Sequence, residues 1–141
     1  MSAVHARRDP RRAGARGTLR LGAGAGYSGD RIEPALELVE AGDLDVLVFE
    51  CLAERTIALA QQARRRDPDA GFDPLLDARM RAVLRAAVDR GVRIVTNMGA
   101  ANPLGAARRT AAIARELGLG TVLVAAVLGD DVLAHDRAGD H

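Results

Sequence analysis

Short apolar runs alternate with stretches patterned like helices along this chain, and that alternation leaves few folds open to it. Thr18 to Leu21 reads as a short strand running into the glycine cluster Gly22, Gly24, Gly26 and Gly29. Arg31 to Ala41 predicts a helix, with Asp30 and Glu33 forming a capping box in which Asp replaces Ser or Thr, and Gly42 as the stop. Leu44 to Phe49 is nearly continuous and apolar, as in a strand covered on both faces. Ala53 to Arg66 predicts a second helix, and Asp67-Pro68-Asp69-Ala70-Gly71 a loop. Asp73 as cap and Pro74 at the first helical position open a third helix. Its Leu76, Met80, Val83, Leu84 and Ala87 hold the spacing of one buried face, and Gly91 ends it. Val92 to Thr96 reads as the third strand. Asn102 and Pro103 start a helix to Leu117, stopped by Gly118, and Thr121 to Leu128 reads as a fourth strand.

This order predicts an α/β fold, Rossmann-like, with a mostly parallel four-stranded sheet and helices on both faces. Only the polar-rich residues 129–141 follow the fourth strand, so the expectation is an incomplete, truncated domain. The expected organisation is a disordered basic leader over 1–17, one α/β domain over 18–134 and a disordered tail over 135–141. Residues 1–17 hold five arginines against Asp9 alone, whereas the rest holds 15 arginines against 18 acidic residues. The leader, with Val4 its only branched apolar residue, cannot bury enough surface to order itself. It reads either as an arm for nucleic acid or targeting, or as an overextended start, and no part of the fold reading depends on it.

Composition removes several classes of function. No apolar run approaches the ~18 residues of a membrane span, and no hydrophobic segment near the start resembles a secretory signal. One cysteine, Cys51, excludes an intrachain disulfide framework and a cysteine-rich zinc site. With no Trp, one Tyr and two Phe, the core must be aliphatic, and stacking platforms for single-stranded nucleic acid are missing. The partner expected is therefore a small molecule, with neither nucleic acid nor membrane. A half-sheet would also leave apolar surface for a second copy or another partner to cover.

Parallel sheets place ligands outside the carboxyl ends of their strands, so the residues following each strand form the candidate site. After the first strand, Gly24-Ala25-Gly26-Tyr27-Ser28-Gly29 fits G-x-G-x-x-G, whose backbone N–H groups can face an anion. Asp30, close behind, would repel a pyrophosphate unless a cation intervened. The turn therefore reads as dinucleotide-binding, as a generic anion- or carboxylate-binding turn, or as structural. After the second strand, Glu50, Glu54 and Arg55 offer an acid/base pair and an anion clamp. Near the start of a helix, carboxylates also stabilise its dipole, which suffices for Glu54. Glu50, ending a buried strand, must find a partner or shift its pKa upward. Cys51 has no histidine nearby, since His5, His135 and His141 lie in the tails, and reads as a buried, inert thiol. After the third strand come Asn97 and Gly99, with Asn102 explained by capping alone. After the fourth, Asp130 and Asp131 either cap a short helix or join Asp30 and Glu50 as ligands of a magnesium-type cation.

The strings Gly-Ala-Gly-Tyr-Ser-Gly-Asp-Arg-Ile-Glu-Pro-Ala (24–35), Leu-Val-Phe-Glu-Cys-Leu-Ala-Glu-Arg-Thr (47–56), Asp-Pro-Leu-Leu (73–76) and Arg-Ile-Val-Thr-Asn-Met-Gly-Ala-Ala-Asn-Pro (93–103) together resemble the amino-terminal region of the acyclic terpene utilisation AtuA family. The resemblance runs from about Arg20 to Asp131. It implies a bacterial cytoplasmic protein linked to breakdown of citronellol- or geraniol-type acyclic terpenes or related branched acyl compounds. It supplies no reaction, no cofactor and no catalytic assignment.

The leading reading is a pocket for a carboxylated or acyl-CoA-type small molecule. Glu50 and Asp30 are its candidate catalytic residues. Gly24, Gly26, Ser28, Gly29, Glu54, Arg55, Asn97, Gly99 and Asp130 are its candidate binding residues. No metal is assigned, and the cofactor is left unknown. The rivals are a nicotinamide- or flavin-dependent oxidoreductase using the glycine turn, and a non-catalytic subunit or fragment.

Overall fold

The computed structural model describes residues 18–130. Three strands, β1 (Leu21–Ala25), β2 (Val46–Phe49) and β3 (Arg93–Thr96), form a parallel sheet in the order β1-β2-β3. Four helices accompany them: α1 (Glu33–Ala41), α2 (Glu54–Arg66), α3 (Leu76–Arg90) and α4 (Pro103–Glu116). The α/β class and the parallel sheet agree with the sequence reading.

Register fixes which residues share a face. Gly22 pairs with Leu47, and Leu47 with Ile94, on the side where α1 and α3 pack. That face is closed by small residues in β1. A Cβ on Gly22 would lie 2.6 Å from a Leu44 methyl carbon, and one on Gly24 would lie 2.7 Å from the Phe49 ring. These glycines admit bulky neighbours. A bulge between Ala23 and Ala25 makes Gly24 the extra residue of its strand. We expect Gly24→Val to cost about 2 kcal/mol by overpacking against Phe49. Urea denaturation checks this, and an unchanged midpoint would contradict it.

Helix α3 is the centre of the helical layer, touching α1, α4 and β3. Leu76, Met80, Val83, Leu84 and Ala87 are all buried, as their spacing predicts. Gly91 ends the helix in the left-handed conformation at φ 68°, so that Val92 N–H reaches the Ala87 carbonyl. Gly42, in contrast, has an ordinary φ of −84°. Its missing side chain is needed because a Cβ would fall 2.3 Å from the Leu38 carbonyl oxygen. Asp77 grips the Arg109 side chain with both oxygens, and Glu116 pairs with Arg81 and Arg109, joining α3 to α4.

Several boundaries differ from the sequence reading. Helix α1 starts at Glu33 with Ile32 at its cap position and no side-chain cap, so Asp30 and Glu33 form no capping box. Helix α3 starts at Leu76, because Asp73 first closes a turn: its carboxylate accepts from Leu75 N–H at 2.7 Å and its carbonyl from Leu76 N–H. The largest correction concerns residues 121–128, which pair with no strand, leaving the sheet with three strands rather than four. Val122, Val124 and Ala126 are half-buried while the residues between them are exposed, so the segment keeps a period of two without a ladder. Helix cover on both faces is likewise not found among the described residues. Helix α2 buries no residue, and on the face away from α1 and α3, Leu21 and Val95 stay 62% and 52% exposed. A parallel strand draws its stability from burial on both sides. With that face open at both edge strands, pairing of 121–128 would add little beyond ladder hydrogen bonds.

Among the described residues, no helix is long and apolar enough to cross a membrane. Residues 1–17 and 131–141, which include the predicted leader and tail, Asp131 and the three histidines, lie outside the described residues.

Candidate functional site

The loops that follow the three strands meet at one rim. At its centre stands Asn97, one residue beyond β3, with its amide clamped between two neighbours. Its Oδ1 accepts from Cys51 N–H at 2.7 Å, and its Nδ2 donates to Glu50 Oε1 at 2.9 Å. Glu50, at the end of β2, also accepts from Leu52 N–H at 3.1 Å. It has thus found a partner, and its pKa moves down. The Asn97 amide is the main cause and the Leu52 N–H the next, both favouring the ionised form. Glu50 is an exposed carboxylate that stays ionised near neutral pH, so it can accept a proton but not donate one. Its hydrogen bonds make it a weaker base than a free carboxylate.

The sign of its pH effect follows. A lowered folded pKa contributes stability above the unfolded value of 4.5, and this is lost as pH falls through the folded value. Asn97→Ala should return the Glu50 midpoint upward toward its ordinary value. Carboxyl NMR titration measures this directly, and an unmoved midpoint would show that Asn97 is not its cause.

The turn after β1 is folded onto itself. Gly26 N–H donates to Asp30 Oδ2 at 2.8 Å, and Asp30 N–H to the Tyr27 carbonyl at 3.2 Å. The carboxylate that fails to cap α1 therefore closes the glycine turn. Gly26 and Gly29 have no left-handed φ, so hydrogen bonds rather than unusual dihedrals shape this turn. Gly24 is not in it; it lies buried within β1. Three residues, Asp30 to Ile32, separate Gly29 from the helix starting at Glu33. The dinucleotide fingerprint instead needs its last glycine at the helix itself.

Beneath the rim lies a residue that sequence reasoning passed over. Arg79 is 0% exposed. Its Nη2 donates to the Ser28 carbonyl at 2.9 Å and the Asp30 carbonyl at 3.1 Å. Its Nη1 lies 3.4 Å from Asp73 Oδ1, 3.4 Å from Cys51 Sγ and 3.8 Å from Met98 Sδ. The guanidinium also stands 5.9 Å from the Phe49 ring centre. The signal was there: Arg79 falls three residues after Leu76 and four before Val83, inside the apolar stripe of α3. Cys51 is buried, and burial pushes its thiol up to about 11 despite Arg79, in keeping with an inert thiol.

The other candidates are placed unevenly. Glu54 and Arg55 are exposed in the first turn of α2. Gly99 sits in the Asn97–Ala101 turn, where a Cβ would lie 2.9 Å from the Pro103 Cα. Ala100, in the same turn, has a positive φ of 44°. Asn102 caps α4 through Gly105 N–H at 2.9 Å. It does more than cap, donating also to the Pro68 and Ala70 carbonyls at 3.1 and 2.8 Å. Asp130 lines a cleft of about 590 Å³ between β3, α3, α4 and the 122–127 segment. That cleft is lined mostly by apolar residues such as Met80, Leu84, Val95 and Val124, and Asn97 and Gly99 are among its lining residues. Among the described residues, no three acidic, histidine or cysteine side chains are grouped to hold a metal ion. Asp30, Glu50 and Asp130 therefore do not by themselves form the magnesium-type cluster, whose fourth member, Asp131, lies outside the described residues.

A search of curated proteins and one of solved structures each give no match. The family model for the acyclic terpene utilisation family protein AtuA, however, matches residues 19–140. This span takes in all three strands, all four helices and the whole rim, and on that ground the chain belongs to the acyclic terpene utilisation AtuA family.

Proposed function

We propose that the rim binds a carboxylated or acyl-CoA-type derivative of an acyclic, branched terpenoid, with Glu50 as proton acceptor. The observation that carries this reading is the Asn97 clamp, which joins the ends of β2 and β3 and holds an exposed carboxylate ionised. Family membership supports the compound class. The largely apolar cleft, which Asn97 and Gly99 help to line, supports a hydrocarbon chain lying beside a polar head, and ~300–1,000 Å³ is the usual size of a small-molecule pocket. Ser28, Gly26 and Gly29 offer the glycine turn to the head group, with Asp30 bracing that turn and Asp130 among the residues lining the cleft. Glu54 and Arg55 are the outer members of the site.

The proton step takes a hydrogen from the carbon beside the ligand's carbonyl. The C–H bond breaks, the proton goes to a Glu50 carboxylate oxygen, and the electron pair moves to the carbonyl oxygen. The test compares the protein with its Glu50→Gln variant using geranic acid and an acyclic branched acyl thioester. Removing one of two facing negative charges should tighten geranic acid binding a few-fold. Solvent-deuterium exchange at the carbon beside the thioester carbonyl should fall by about 10²–10⁴. Unchanged binding and unchanged exchange would remove Glu50 from the site.

A further inference from the structure

An arginine side chain stays charged at any pH a protein meets, and taking it out of water is expensive unless its partners are good. Arg79 is fully buried, yet among the described residues Asp73, at 3.4 Å, is its one acidic partner and its Nε has no hydrogen-bond partner. Every other inward position of α3 is aliphatic or methionine. By stability alone, apolar residues of similar volume in place of both Arg79 and Asp73 would serve there as well. The forked side chain does something a lysine point charge could not. One nitrogen draws down the Ser28 and Asp30 carbonyls, while the other faces Cys51 behind β2, Met98 behind β3 and Asp73 ahead of α3. A single planar group thus touches the segment following every strand. Asp73 is itself tied to the rim, since its N–H donates to the Met98 carbonyl at 2.8 Å.

We infer that Arg79 is the positioning residue of the rim, holding the glycine turn in shape from below so that the site is formed before any ligand arrives. This rests on the rim being the binding site. With Arg79 holding two carbonyls and Asp30 returning to Gly26, the 26–30 turn has four hydrogen bonds on five residues. A preformed turn spares the ligand the cost of ordering it.

The experiment is amide hydrogen exchange by NMR on the protein, Arg79→Lys, and Arg81→Gln as a control on the same helix. In Arg79→Lys the Gly26 and Asp30 amides should exchange about tenfold faster, while Ile113 and Ala114 in α4 stay within about twofold of the parent. Equal acceleration at all four amides, or none, would overturn the inference and leave Arg79 a general core residue. A second measurement needs no variant. The Arg79 guanidinium should rotate slowly and show through-hydrogen-bond coupling to the Ser28 and Asp30 carbonyl carbons. Free rotation without coupling would equally overturn it. Geranic acid titration of the unaltered protein separates the two ideas. No binding with a protected turn sinks the ligand reading and leaves the positioning role. Binding with an unprotected turn does the reverse.

Discussion

Arg79→Ala should lose about 3–5 kcal/mol of folding stability, the range expected when one partner of a buried ion pair is removed. Three deficits combine. Asp73, 6% exposed, keeps Leu75 N–H but loses its counter-charge. The Ser28 and Asp30 carbonyls lose their shared donor, and the space beside Phe49, Cys51 and Met98 empties. Against a typical total of ~5–15 kcal/mol, that is a third or more of the whole. Arg79→Met refills the space without restoring the donor, so it should fall between the parent and the alanine variant. Urea denaturation midpoints give the order, and a loss under ~1 kcal/mol in Arg79→Ala would show that the guanidinium is dispensable.

The second large effect belongs to Asn102, which is 7% exposed and uses both ends of its amide. Asn102→Ala removes the α4 cap, worth ~1 kcal/mol. It also removes the donor shared by the Pro68 and Ala70 carbonyls, which are only part-buried and so lose about 0.5–1.5 kcal/mol as water takes its place. A total of about 2 kcal/mol is expected. Asn102→Asp isolates the parts, since a carboxylate can accept from Gly105 N–H but cannot donate to either carbonyl. It should recover only the cap share. Full recovery in Asn102→Asp would show that the two donated bonds contribute nothing.

These two residues mark where sequence reasoning stopped. Elements whose signal is local were readable: the α3 stripe, the Gly91 stop and the Asn102-Pro103 start all follow from spacing and backbone preference. The convergence of Glu50 and Asn97 was readable too, because parallel strands send their ends to one edge. What escaped depended on contacts distant in sequence. Asp30 has the residue type and spacing of a cap, but a bond to Gly26 four residues back won. Asn102 looks fully explained by Gly105 until Pro68 and Ala70 arrive from the other side of α3. Arg79 was hidden by its type, since a charge in an apolar stripe reads as the stripe's edge when its partners lie some 50 residues upstream. The run 121–128 has every local mark of a strand. Pairing depends on what covers the sheet, which no window of eight residues encodes.

The glycine turn shows the same limit from the functional side. Its letters match a phosphate-binding fingerprint, yet Gly24 is spent on making room for Phe49, and α1 begins too late to present its N-terminus to the turn. The carboxylate clamp of Glu50 and Asn97, without any such motif, is the better-founded feature.

Whether the strand ends are where this protein meets its ligand is decided by titrating geranic acid into isotopically labelled protein and mapping the amide shifts. The Gly26–Gly29 turn, Glu50 to Leu52 and Asn97 to Gly99 should move together and saturate with one constant. A saturating response confined to α2 or to the opposite ends of the strands, or no response at millimolar acid, would contradict the account.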